Sequence, residues 1–509
     1  MRAVPLFLFF FFLQSAATPI DIGSRRELFV DDYLIEETTG TVNLQLHRPV
    51  PQEIALIHDE PWEGTGCGYY SIFKDGELFR MYYKAMHIEV SDGELNTEAH
   101  PRFTCYAESD DGIHWRKPAL NLHEYLGSKA NNITITSDQL GELEIDAAHP
   151  AIFKDPNPKA PADAQYKAVL RSRGLNGLCV LKSADGLSWS PFIETPILRL
   201  KGAFDSQNLA FWDPSIERYR AYWRTSPEGV INDTEWKPKG NRAVRTGQSD
   251  NLEDWDQVED LSYGSSPSQQ MYTNGVQSYH RAPHVLIGFP MRYIERENLG
   301  PMQSLPDPEN RELRASSNPR YGHALSESLL MTSRDGVHFK RWDTAFLRPG
   351  PERPGTWHYG AHNLAWGIVE TRSDLPGAAN ELSIYASEDY WHGKGSAVRR
   401  YTLRLDGFVS ASANWSGGTL LTKPLTFDGD QLELNFATSA AGHIRIQLQD
   451  IEGNPLPGFT FADCPYYFGD SVSKHVSWIN APDLGSLAGK TIRLNIELKD
   501  ADIFSFRFF

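Results

Sequence analysis

Ahead of five strand-like runs the chain carries side chains able to move protons or hold sugars. They are Asp59, Glu60 and Glu63 before Tyr69; Asp146 and His149 before Ala151; Asp205 and Gln207 before Leu209; Asn274 and Gln277 before Tyr279; and His358 and His362 before Leu364. Three of these positions offer carboxylates and two offer amides and imidazoles. Carboxylates gathered in one pocket suit glycoside chemistry: one keeps its proton for the leaving oxygen, another attacks or activates water, and a third separates their pKa values by like-charge repulsion. A neighbouring His shifts that balance. The candidate catalytic residues are Asp205, Asp146 and Glu63. Asp205 comes first because Phe204-Asp-Ser-Gln-Asn208 sets amides around it. The candidate substrate-binding residues are Trp62, Asp59, His149, Gln207, Asn208, Asn274, Arg292, Trp357, His358 and His362, with Tyr272, Tyr359 and Trp391 as further rings able to stack on sugar faces. The competing reading is that these acids and amides cap strand ends and bind water.

These groups need a scaffold that brings five strand ends together. Five times a β-rich run ends in Ser, any residue, then Asp or Asn: Ser109-Asp-Asp-Gly-Ile-His-Trp115, Ser183-Ala-Asp-Gly-Leu-Ser-Trp189, Ser249-Asp-Asn-Leu-Glu-Asp-Trp255, Ser333-Arg-Asp-Gly-Val-His-Phe339 and Ser387-Glu-Asp-Tyr-Trp391. The Asp accepts from turn N–H groups and the Gly takes positive φ, as a tight turn between a third and a fourth strand requires. The following ring is placed to pack between sheets. A hairpin precedes each turn, clearest in 69–83 and 208–223. Four strands in five units predict a five-bladed β-propeller over residues 18–410. The innermost strands would then carry the polar positions to one mouth of a central channel. Glu27 to Ile35 reads as a strand or short hairpin outside the five units, and the Pro-rich stretches 155–163 and 301–320 read as long loops.

Beyond Asn414-Trp-Ser-Gly-Gly418 the texture changes. Runs 432–436, 443–449, 472–478, 491–498 and 503–508 alternate apolar with polar residues, which predicts an antiparallel β-sandwich, jelly-roll-like, over 411–509.

Composition narrows the partners. The 509 residues carry 49 basic and 66 acidic side chains, a net charge of −17, which disfavours nucleic acid and anionic membranes. Arg2, the apolar run Val4 to Leu13 and the small residues Ser15-Ala16-Ala17 read as a signal peptide over 1–17, hence a secreted or periplasmic protein with no membrane attachment after its removal. Four cysteines are few for an exported chain. Cys67 and Cys105 fall two strands apart, about 9.5 Å and beyond disulfide reach, so buried free thiols are expected. No cofactor is expected, and no Cys/His spacing marks structural zinc; a structural or site divalent cation stays open. The oligomeric state is not encoded in these patterns.

The arrangement of acids on the first three inner strands resembles the fructan- and arabinan-processing superfamily, glycoside hydrolase families 32, 43, 68 and 130 among them. Arg26-Glu-Leu-Phe-Val-Asp-Asp-Tyr-Leu-Ile35, Cys105 to Trp115, Gly202-Ala-Phe-Asp-Ser-Gln-Asn208, Leu420-Leu-Thr-Lys-Pro-Leu425 and Leu498-Lys-Asp-Ala-Asp502 resemble bacterial exported glycosyl-hydrolase-like proteins along nearly the whole mature chain. The resemblance implies that Glu63 or Asp59, Asp146 and Asp205 match the acids of the first three blades. The Trp-Met-Asn-Asp-Pro, Arg-Asp-Pro and Glu-Cys strings of the fructan enzymes are absent, so invertase or levansucrase activity is not implied. Three functions are compatible with this: glycosidic hydrolysis, non-catalytic glycan binding, and polysaccharide lysis by a His or Tyr base with a divalent cation or Arg at the substrate carboxylate.

Overall fold

The computed structural model describes residues 18–138, 140–199, 202–231, 236–393, 395–479 and 482–509. The proposed signal peptide lies outside them. Two compact units form: Leu46–Phe408, and the described residues up to Gln45 together with Val409–Phe509. The protein is nearly all β.

In the first unit five four-stranded antiparallel sheets follow one another along the chain, with first strands Gly68–Asp75, Ile145–Lys154, Leu209–Asp213, Gln277–Tyr279 and Val369–Thr371. The fifth sheet runs Val369–Thr371, Glu381–Glu388, Ser396–Arg404 and then Val50–His58, so the unit's N-terminal strand completes the last sheet. The Glu27–Ile35 region takes no part in these five sheets. Glu27–Leu28 pairs instead with Arg493–Phe508 in the other unit.

The repeated turn works as its chemistry requires. Ser109 Oγ accepts from the N–H groups of Asp111 (3.2 Å) and Gly112 (2.9 Å), while Asp111 Oδ1 accepts from Ile113 and His114 (both 2.8 Å). Ser183 with Asp185, Ser249 with Asn251 and Ser333 with Asp335 repeat the set. Gly112, Gly186 and Gly336 have φ of +75°, +78° and +84°, and Leu252, standing where the others have Gly, takes +68°. These four turns join third to fourth strands. The fifth copy differs: Ser387 ends a second strand, its Oγ donates to the Gly360 carbonyl (2.7 Å), and Asp389 itself takes φ +53°. Here Asp389 and Trp391, not Tyr390 at the Gly position, take positive φ, so the segment does not make the same turn.

The rings after the turns latch one sheet to the next. Trp189 lies edge-on to Tyr82 at 6.4 Å, Phe339 to Tyr222 at 6.1 Å, and Trp115 to Tyr385 at 5.7 Å. Each of these tyrosines donates to the carbonyl of the turn glycine, Gly186 (2.9 Å), Gly336 (3.0 Å) and Gly112 respectively. Sheet one is thus tied to two, three to four, and five back to one. A ring pair and a hydrogen bond at each latch contribute on the order of 1–2 kcal/mol together.

The stretch 301–320 departs from the loop expected of it. It forms short helices Gly300–Gln303, Pro308–Ser317 and Pro319–His323, each with Pro in its first turn, where a missing N–H costs nothing. Pro308–Ser317 buries Arg311 and Arg314.

The second unit is built on an eight-stranded sheet with Arg493–Phe508 at its centre. Two pairs of expected strands are single long strands here, Leu432–Gln449 and Arg493–Phe508, paired along most of their length with register shifts near Asn435 and between Thr438 and His443. Residues 18–45, assigned above to the repeat, belong with this sheet: Ile35–Thr38 pairs with Gly418–Thr422, and buried Arg26 ion-pairs with Glu433. Their alternation fits either unit. The long-range pairing decides it. Cys67, Cys105, Cys179 and Cys464 are all free and buried.

Candidate functional site

At the entering ends of the first strands lies a cavity of about 230 Å³, lined by Tyr69, Lys84, Arg102, His149, Arg171, Asp205, Tyr272, Tyr321, Tyr359, Tyr390 and Trp391 among others. Asp205 is the carboxylate that reaches it, with its side chain 49% exposed. Asn208 shapes the turn beneath: its amide donates to the carbonyls of Phe204 (3.1 Å) and Ser206 (2.7 Å), and its oxygen accepts from the Arg224 N–H (3.0 Å). The Arg224 guanidinium pairs with Asp205 and lies 5.0 Å from the centre of the Tyr272 ring, with Arg242 at 5.1 Å from the same ring. Tyr359 donates to the Tyr272 hydroxyl (2.8 Å). Burial pushes the Tyr272 phenol up, yet Arg224, the Tyr359 hydrogen bond and Arg242 together bring it below the ordinary value.

Asp146 is fully buried behind the lining. Its Oδ2 lies 3.1 Å from Arg102 Nη1 and 3.0 Å from His149 Nδ1, the latter off the hydrogen-bonding direction, and its Oδ1 accepts from the Ala148 N–H (3.1 Å). Burial raises its pKa, but His149 and then Arg102 outweigh this and hold the carboxyl well below the usual range. Burial lowers the pKa of His149, against the pull of Asp146. A register shift between Asp146 and Ala151 in strand Ile145–Lys154 places both residues at this end.

Two rings of the lining sit in left-handed backbone, Tyr69 at φ +53° and Trp391 at +54°. Such residues cost about 1–3 kcal/mol each and persist only where surrounding contacts fix them. Gln207 fixes the first by donating to the carbonyls of Tyr69 (3.0 Å) and Pro150 (2.9 Å). The second is held by its N–H bond to Thr65 (2.6 Å), by Arg314 at 4.9 Å from its ring and by Tyr321 edge-on at 5.3 Å. The short helices behind the site thus brace its wall.

The other sequence-derived candidates lie elsewhere. Glu63 is buried and saturated: it accepts from Tyr83 (2.6 Å), Lys117 (2.7 Å) and the Glu60 N–H (2.9 Å). Asp59 shares Lys117 at 3.1 Å, and Trp62 donates to Asn132 (2.6 Å). None of the three lines the cavity. Asn274 bonds to the Tyr222 carbonyl and the Val276 N–H, Arg292 pairs with Glu327, and Trp357 donates to the Gly350 carbonyl. His358 is buried against Arg314, burial holding its pKa far down, and His362, also buried, is lowered to about 4. The candidates thus separate into Asp205, Asp146 and His149 at the cavity, Gln207 and Asn208 shaping it, and a remainder built into the surrounding framework.

Lys84, Arg102, Arg171 and Arg224 were missed, as were Tyr69, Tyr321 and Tyr390. A signal existed. Lys84, Arg171 and Arg224 are each the penultimate residue of the second strand of the first three sheets, Leu78–Ala85, Tyr166–Ser172 and Arg218–Thr225.

A larger opening of about 500 Å³ lies at the leaving ends of the same strands, lined by Phe73, Phe153, Phe211, Trp212, Trp366 and neighbours. It is mostly apolar. Of its charged groups, Lys154 pairs with Asp75 at 2.5 Å and Asp155 with Lys167. Among the described residues no group of three or more His, Cys, Asp or Glu is arranged to hold a metal ion, and no helix is long and apolar enough to cross a membrane.

No protein-family model and no curated protein sequence matches this chain. Among solved structures it is similar to a glycoside hydrolase described from Parabacteroides distasonis (15% identity, TM-score 0.38, covering 74% of this chain and 96% of that one). It is also similar to a fructofuranosidase from Schwanniomyces occidentalis (11%, TM-score 0.38, 89% and 97%) and an exo-inulinase from Aspergillus awamori (10%, TM-score 0.36, 89% and 99%). Its structural neighbours therefore include glycoside hydrolases at low identity.

Proposed function

We propose that this chain is an exported carbohydrate-active enzyme that cleaves a glycosidic bond at the cavity around Asp205. In this reading the five four-stranded sheets are the blades of a five-bladed β-propeller, and the unit containing residues 409–509 is an accessory β-sandwich. The observation that carries it is a half-exposed carboxylate, Asp205, opening into a cavity walled by Tyr69, Tyr272, Tyr321, Tyr359, Tyr390 and Trp391. Aromatic walls with few convergent polar groups suit the alternating apolar and hydroxylated faces of a sugar. Paired with Arg224, Asp205 is the carboxylate placed to act as nucleophile or as the base that activates water. His149, lining the cavity with its Nδ1 3.0 Å from Asp146 Oδ2, is the group placed to exchange a proton with the leaving oxygen. Glu63, held by Lys117 and Tyr83, has no part in the chemistry. A screen of oligo- and polysaccharides for released reducing ends tests this reading. Release that saturates with substrate is expected; saturable binding without release assigns the same cavity to a glycan-binding protein instead.

One observation favours a second reaction. Tyr272, between Arg224 and Arg242 with its phenol pKa brought down, is suited to remove a proton next to a carboxylate, as a polysaccharide lyase does. Elimination would yield an unsaturated, ultraviolet-absorbing sugar. Tyr272→Phe should abolish that absorbance if elimination operates, and should leave most reducing-end release in place if hydrolysis does.

A further inference from the structure

The cations of the cavity outnumber what the protein uses to balance them. Lys84, Arg102 and Arg171 line it, and Asp205, its lining carboxylate, is occupied by Arg224. Arg102 shares buried Asp146 with His149 and reaches Glu98 at 3.0 Å. Lys84 and Arg171 have no carboxylate within ion-pair reach among the described residues. Lys84 is buried, donates to the Tyr390 hydroxyl (3.3 Å) and lies 4.7 Å and 5.0 Å from the ring centres of Tyr69 and Tyr390. The Nε of Arg171 and that of Arg102 are buried without a hydrogen-bond partner. Removing a charge from water without a partner is costly, and a protein carrying −17 overall has abundant acids with which to balance it. Here it does not. The three sheets repeat a cation at the same strand position, Lys84, Arg171 and Arg224, so the charge is built into the repeat.

We propose that the cavity takes a sugar unit bearing an anionic group, a uronate carboxylate or a sulfate ester, whose negative charge is received by Lys84 and Arg171 beside Arg102 while its ring lies against Tyr69 and Tyr390. This rests on the assignment of the cavity to carbohydrate and adds the substrate class. The strand geometry supports it: Gly68 pairs with Lys84 and Asp146 with Arg171 across the first two strands of their sheets, so both cations sit at the entering ends beside Tyr69 and His149. The burial that pulls the Lys84 ammonium down to about 8 agrees with a charge awaiting a partner. At about 230 Å³ the space is below the roughly 300–1,000 Å³ typical of drug-sized ligands and suits a single sugar ring.

Calorimetric titration of the full chain with galacturonate, glucuronate, galactose 6-sulfate, galactose and glucose tests this. At least one acidic sugar should bind at least 10-fold more tightly than its neutral counterpart, and the carboxylate and sulfate arms tell which group is read. Lys84→Met and Arg171→Met should each weaken that binding 10-fold or more, and Lys84→Met, which removes an uncompensated buried charge, should leave the melting temperature unchanged or raised. Equal binding of neutral and acidic sugars, or acidic-sugar binding untouched by both substitutions, overturns the proposal while leaving a carbohydrate cavity intact. Binding of none of the five overturns it together with the carbohydrate assignment at monosaccharide level.

Discussion

The two ends of the five first strands differ in nearly everything but their backbone. At the leaving ends is an opening of about 500 Å³ walled by Phe73, Phe153, Phe211 and Trp366, and none of its non-glycine residues has positive φ. At the entering ends is a cavity less than half that volume, with two rings in strained backbone, a carboxylate on a guanidinium, and two cations, Lys84 and Arg171, with no carboxylate in ion-pair reach among the described residues. Volume alone would select the first as the site. Strain and uncompensated charge select the second, because both cost stability and neither is needed to hold the strands together. The leaving ends are finished with packing, for example the Trp366 Nε1 bond to the Val276 carbonyl (2.9 Å), while the entering ends retain features that a ligand would complete.

The sharpest way to break this comparison is through His149. His149→Ala should lower turnover on the order of 10²–10⁴-fold, the usual yield of a general acid or base, with folding preserved in circular dichroism. Full activity in that variant would remove proton transfer from this end. Asp146→Asn should act on stability as well as on turnover. It strips Arg102 of a buried counterion, for which breaking such a pair costs about 3–5 kcal/mol in chemical denaturation. Its pH dependence has a fixed sign. The folded pKa of Asp146 is depressed, so its contribution is present above the unfolded value of about 3.9 and is lost as pH falls through the lower folded value. The Asn variant should lose stability less steeply on acidification than the wild type; an equally steep acid limb would argue against a depressed Asp146. The smallest effect belongs to the opposite mouth. Trp366→Phe removes one hydrogen bond, about 1 kcal/mol, and should leave turnover unchanged.

Much of the scaffold was legible because its chemistry is local. Ser, Asp and Gly at fixed offsets specify a turn whatever surrounds them, and four of the five copies close as read, even where Leu252 replaces Gly. The fifth was misplaced by one strand because Ser387-Glu-Asp389 satisfies the pattern but not the geometry, and only the pairing of Glu381–Glu388 with its neighbours reveals it as a second strand. Residues 18–45 were equally ambiguous: their sheet partners lie more than 360 residues away in sequence, as in the bond from Thr39 to Thr419. At the site, reading the residues ahead of each first strand named Asp205, Asp146 and His149, which lie at or just behind the cavity, and also Glu63, which bonds to Lys117 and Tyr83 away from it. Lys84, Arg171 and Arg224 escaped because attention to one strand of each hairpin ignores the partner that ends beside it. Their common position, next to last in a second strand, is a repeat as regular as the turn.

Asp205 tests the account most directly, since it is exposed enough to be exchanged without disturbing the core and is the carboxylate that opens into the cavity. On any polysaccharide the wild type cleaves, Asp205→Asn should release reducing ends at a rate lower by 10²-fold or more, with the fold retained in circular dichroism and a melting temperature lowered only as far as buried Arg224 loses its counterion. Undiminished release by Asp205→Asn, at unchanged stability, would contradict the assignment of the chemistry to this mouth.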